Sequence, residues 1–238
     1  MKTKLIVFAA ACLFCITTSF GQDFLTPSYA FSHSKNAYVT LFDGTDLTCT
    51  VSKIKRKKGL ISSIEVKDGS GATRKLSPGD VNYMYLPPNA LDKISKANEF
   101  LNDATKWTND KLDQDLLNQG LVYFEQTDVK IKKKTMTMLM QLLNPSFSGG
   151  VKVYHDPFAK ETASIGVGGL KVAGGIAKSY YLKKGDDAAY FFEKQGYKKE
   201  FDQFWKDCQA VLTEFSGSAN WNGLAEHVFK YDQECSGK

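Results

Sequence analysis

The densest chemistry in the chain is cationic. Lys53, Lys55, Arg56, Lys57 and Lys58 place five positive side chains within six residues. Such a run attracts anionic surfaces, lipid headgroups and acidic glycans among them. On an ideal strand Lys53, Lys55 and Lys57 share one face while Arg56 and Lys58 take the other. The pattern therefore also fits a solvated hairpin tip whose lysines discourage edge pairing. Lys130, Lys132, Lys133 and Lys134 form a second cluster, which extends the first only if the two segments pack together.

Other constellations yield to plainer readings. Met136, Met138 and Met140 alternate with Thr135, Thr137 and Leu139. A thioether ladder of this kind can hold Cu(I), but no histidine or cysteine is near in sequence, and a core-facing strand accounts for it. Gly166-Val167-Gly168-Gly169 and Gly174-Gly175 have the composition of a phosphate loop without its chemistry. Gly175 stands where the phosphate-reaching lysine belongs, and Lys171 replaces the last glycine of GxGxxG. Residues 165–176 are read as a glycine-rich hairpin, with a loop touching a membrane surface as the second reading, because only Lys171 interrupts their apolar character.

His33, His155 and His227 show no HxH or HExxH spacing, and no serine has glycines at both i−2 and i+2. Neither a metal site nor a cofactor is expected. Asp156 beside His155 falls on the opposite face of a continuing strand, so adjacency alone does not make them a dyad.

Composition bounds the class. The 238 residues are 42% hydrophobic, 24% charged and 13% aromatic, and the mean hydropathy is −0.31. These values exclude a chain disordered by composition and a polytopic membrane protein. Lys2 and Lys4, the apolar residues 5–16, and Ser19-Phe20-Gly21 ahead of Gln22 have the form of a Sec-type signal peptide over residues 1–21. The expected location is periplasmic or extracellular, and the Cys12/Cys15 pair leaves with the signal. Its removal lowers the formal charge from +5 to +3, too little to imply a nucleic-acid partner. Cys49 alternates with Leu47 and Val51 and reads as a buried free thiol, which leaves Cys208 and Cys235 as the candidate disulfide in a compartment that permits one.

The elements that would position these groups follow from periodicity. Residues 22–35 have no period and read as an irregular arm. Five short strands at 38–42, 47–55, 60–67, 72–76 and 81–86 are separated by turns at Asp43-Gly44, Lys58-Gly59, Asp68-Gly69-Ser70-Gly71 and Ser77-Pro78-Gly79-Asp80. Pro87-Pro88 closes this set. A connector at 88–119 carries helices at 90–104 and 112–118. Strands resume at 121–128, 131–143, 151–154, 176–183 and 188–193. Phe201, Phe204, Trp205, Cys208, Val211, Leu212 and Phe215 mark one helix, and Trp221, Leu224, Ala225, Val228 and Phe229 a second.

Residues 36–87 resemble an SH3-like or Sm-like small barrel through Tyr38-Val39-Thr40-Leu41-Phe42-Asp43-Gly44-Thr45, the long strands about Lys58-Gly59, and Pro78-Gly79-Asp80-Val81. Residues 120–210 resemble uncharacterised exported proteins of Bacteroidota at Gln141-Leu142-Leu143-Asn144-Pro145-Ser146-Phe147, Val151-Lys152-Val153-Tyr154-His155-Asp156-Pro157 and Lys178-Ser179-Tyr180-Tyr181-Leu182. That resemblance implies an envelope or secreted location and transfers no catalytic residue.

The expectation is an α+β protein: a small N-terminal SH3-like β-barrel at 36–87, a helical connector at 88–119, and an antiparallel β-sheet at 120–195 covered by two helices at 196–238. Its expected role is a non-catalytic interaction module of the cell envelope. Lys53, Lys55, Arg56, Lys57 and Lys58 would meet an anionic component, or the partner would be a protein, with peripheral membrane contact left open. Catalysis is left undecided. The alternative is an envelope hydrolase whose site is assembled from distant residues, with His155 as its base.

Overall fold

A computed structural model describes residues 23–90, 111–159, 165–167, 170–173 and 177–237. The signal segment and nearly all of the helix expected at 90–104 lie outside the described residues. Five strands come first: β1 (Asn36–Leu41), β2 (Asp46–Lys57), β3 (Leu60–Asp68), β4 (Thr73–Leu76) and β5 (Val81–Leu86). Their turns are set by local chemistry. Lys58 and Gly59 both have positive φ, 50° and 74°, as a two-residue hairpin turn requires. The Asp68 carboxylate accepts the backbone N–H groups of Ser70 and Ala72.

No closed barrel forms over residues 36–87. Both edges of β1 are taken, by β2 and β5, and the outer edge of β5 pairs with β6 (Val122–Ile131) instead of turning back. The sheet therefore runs on. After helix α1 (Gln114–Asn118) come β6, β7 (Lys134–Gln141), β8 (Val151–His155), the short strands β9 (Ile165–Val167) and β10 (Leu170–Ala173), β11 (Ser179–Lys184) and β12 (Ala189–Glu193). One ten-stranded sheet results, in the order β4-β3-β2-β1-β5-β6-β12-β11-β8, with β7 on β6, while β9 and β10 form a separate pair.

The separate barrel and separate antiparallel sheet expected from the sequence are thus one mixed sheet. The strand that merges them is β6. Its first residues pair with β5 and its last, Val129 and Lys130, pair with Ala189 and Tyr190 of β12 in parallel. Since β7 lies along Phe124 to Ile131, β5 and β12 share the remaining edge. The sheet is also curled. β3 packs beside β7, and the chain just after β7 reaches β8 through a Leu142–Tyr154 bridge.

Three apolar cores follow from strand alternation. The first lies within the curl of β1 to β7 and includes Val39, Cys49, Ile64, Met84 and Phe124. The second sits under α2 (Lys194–Phe204), α3 (Gln209–Phe215) and α4 (Leu224–Cys235). There Tyr197, Phe201, Val211, Leu224 and Val228 cover Val153, Leu182 and Phe192. The third occupies the other sheet face, with Tyr85, Tyr123, Met138, Met140 and Tyr154. The arm crosses between cores, Phe24 packing against the second and Phe31 within the first.

The single helix expected across Phe201 to Phe215 is two helices. Trp205 ends α2, and Cys208, extended at φ −130°, begins α3. Cys208 is joined there to Cys235 at the end of α4, with 5.8 Å between Cα atoms. Phe201, Trp205, Cys208 and Val211 still reach the core, which is why their spacing resembled one continuous helix.

Candidate functional site

The cationic run occupies the outer end of the β2–β3 hairpin. A bulge at Val51/Lys53 changes its facing from that of an ideal strand, while a second irregularity at Lys55/Arg56 places its extra residue, Ser62, on β3. Cys49 and Val51 point into the first core; beyond the bulge Ile54 does so instead. Lys53, Lys55 and Lys57 therefore take the face away from that core. Lys53 lies opposite Glu65 in register, and Lys55 is 3.8 Å from the same carboxylate. Glu65 partly neutralises this pair. Arg56, Lys57 and Lys58 are exposed, and no carboxylate of the described residues forms an ion pair with them.

The tip is held against the far end of the sheet. Arg56 Nη1 donates to the carbonyl of Gly59 at 3.1 Å. Gly59 lies so close to Pro157, just beyond β8, that a Cβ would come within 2.5 Å of the proline ring. On this margin Tyr29 of the arm is 57% exposed and Phe158 58% exposed. The Tyr29 hydroxyl and His155 Nε2 are hydrogen-bonded at 3.0 Å, and Tyr29 lies close to Arg56, whose guanidinium pKa is lowered chiefly by partial burial. Cations and two accessible aromatic rings therefore share one rim. Neither Tyr29 nor Phe158 carried a sequence signal, because nothing local shows that the hairpin reaches β8.

His155 is bound by the Tyr29 phenol, whereas Asp156 is buried and accepts from Ser179 Oγ at 2.6 Å and from the Phe158 N–H at 3.0 Å. The neighbours serve different structures. The Lys130–Lys134 cluster caps the β6–β7 hairpin, where Lys132 has φ 56°; β7 is the strand beside β3. Of the methionine ladder, Met138 and Met140 are core residues, while Met136 is half-exposed. Cys49 is buried and its thiol is pushed up to about 11, chiefly by burial. Among the described residues no three His, Cys, Asp or Glu side chains are grouped to hold a metal ion. No described helix is long and apolar enough to cross a membrane.

The curl assembles one polar cluster that sequence reading missed. Glu125 of β6, 13% exposed at its side chain, accepts from Lys152 Nζ at 2.7 and 2.9 Å and from the Tyr154 hydroxyl at 2.6 Å. Lys183 Nζ donates to Thr127 Oγ1 at 3.3 Å. Burial, reinforced by the Glu125 charge, drives the Tyr154 and Tyr123 phenols far upward. Tyr85, whose oxygen accepts the Asp113 N–H at 2.8 Å, is raised to about 12, again chiefly by burial. These phenols stay protonated, and those of Tyr154 and Tyr123 donate to Glu125. The cluster joins β6 to β8 across the sheet, and its carboxylate is saturated from within. Glu125 and Lys152 stand far apart in sequence, so only their odd placement among apolar alternation marked them.

No protein-family model matches the chain, and no curated protein or solved structure matches it either.

Proposed function

We propose that the chain is an exported, non-catalytic interaction module of the cell envelope, docking an anionic component through the rim of the β2–β3 hairpin. One observation carries the reading: Lys57 and Lys58 project, and Arg56 is held over the Gly59 carbonyl, without carboxylate partners among the described residues, on the margin that carries accessible Tyr29 and Phe158. Cations closer together than a Debye length act jointly on an approaching polyanion, and exposed rings supply contact area once it arrives. The Cys208–Cys235 disulfide suits an oxidising compartment. The Sec-type pattern of residues 1–21 and the likeness of residues 120–210 to exported Bacteroidota proteins agree with it.

The test is sedimentation of the protein lacking residues 1–21 with envelope fragments of its source cell, across a salt series. Binding should fall steeply by about 0.3 M salt and be lost in the Arg56→Glu, Lys57→Glu, Lys58→Glu variant. Binding indifferent to both would overturn the reading.

A further inference from the structure

Resting on that reading, we propose that the anionic component is a lipid surface, met by the hairpin rim in an interfacial mode. Two features of one margin select lipid over an acidic polysaccharide or protein. First, the cations lie beside rings that remain accessible: Phe158, which has no polar handle, and Tyr29, which has one. The boundary between headgroups and acyl chains accepts both kinds at once, whereas a polyanionic glycan offers charge without an apolar phase for Phe158. Second, the exposed ring directly follows the point where the hairpin touches the sheet, at Gly59 against Pro157. Charge and apolar contact are therefore fixed relative to one another by packed backbone.

Vesicles of phosphatidylcholine with and without phosphatidylglycerol provide the test, read by co-sedimentation. Binding should require phosphatidylglycerol. The Lys57→Ala, Lys58→Ala variant should partition about 25-fold more weakly, from about fivefold per cation near an anionic surface. Phe158→Ser should weaken partition about tenfold while leaving the salt slope unchanged, because it removes apolar area and no charge. Near-ultraviolet circular dichroism checks that each variant is folded. Salt-sensitive binding to envelope fragments with none to anionic vesicles would overturn the lipid assignment and leave the interaction role standing. Equal binding to neutral and anionic vesicles would overturn the part given to the cations. Failure on both fragments and vesicles would remove the interaction role itself.

Discussion

Acid should destabilise this protein through one buried imidazole. His227 of α4 is 1% exposed, stacked on Tyr197 and ringed by Phe201, Trp205 and Phe215. Trp205 Nε1 donates to the Tyr197 oxygen at 3.2 Å, so the Tyr197 hydroxyl is free to donate to His227 Nδ1, 2.5 Å away. A protonated ring would turn that acceptor into a donor. Burial holds the His227 pKa down at about 4, against an ordinary 6.5, with Glu214 pulling weakly the other way. Since the folded value is the lower one, the unfolded chain binds the proton more tightly. Stability is full above pH 6.5 and is lost as pH falls toward 4. Over that window the gap amounts to roughly 3 kcal/mol, and roughly 2 kcal/mol is already gone at pH 5. Urea unfolding at pH 7 and pH 5 measures it, with His227→Gln as the control that cannot titrate. The variant should lose about 1 kcal/mol at pH 7 and show a pH dependence smaller by roughly 2 kcal/mol. An unchanged pH dependence in the variant would refute this account of the site.

Three further outcomes follow from the packing. Replacing Cys208 and Cys235 by serine frees a loop with a sequence separation of 27 and should cost about 3.5 kcal/mol in denaturant unfolding; reducing agent should then have no added effect. Glu125→Gln leaves Lys152 short of its counter-charge in a half-buried place and should cost about 2 kcal/mol, discounted because the lysine keeps some solvent; Glu125→Leu with Lys152→Met should cost less than the single change. Gly59→Ala meets both a positive φ and the Pro157 ring, so it should cost about 2 kcal/mol and weaken envelope binding without altering charge, as the same sedimentation assay would report.

Local pattern and long-range pairing were unequally legible. Alternation placed β5 at residues 81–86 and put Cys49, Met138 and Met140 inside, because side-chain facing repeats every second residue whatever the neighbouring strand is. It could not say which strand lies beside which. Nothing in Val129-Lys130 names Ala189-Tyr190 as a parallel partner, so a continuous sheet was read as two units. The bulge after Val51 hid the facing of the run in a similar way: one extra residue reverses every side chain that follows, and Lys53, Lys55 and Lys57 moved away from the core face. Arg56, Lys57 and Lys58 could be identified by charge alone. Tyr29 and Phe158 could not, since their value comes from contacts made across the whole curl.

The shared edge of β6 has a consequence in time. As the chain is synthesised, β1 to β5 can assemble first and offer β5 to Val122–Glu125, while β7 follows at once on the opposite side. Val129 and Lys130 must wait for Ala189 and Tyr190, with β8 to β11 made in between. Until then the sheet carries an open stretch of backbone donors and acceptors, the kind of edge that recruits foreign chains. The N-terminal half would thus be the template on which the remainder is laid, and pulse-labelled hydrogen exchange during refolding should find amides of β5 and β6 protected before those of β12. Simultaneous protection would mean that the two halves form together.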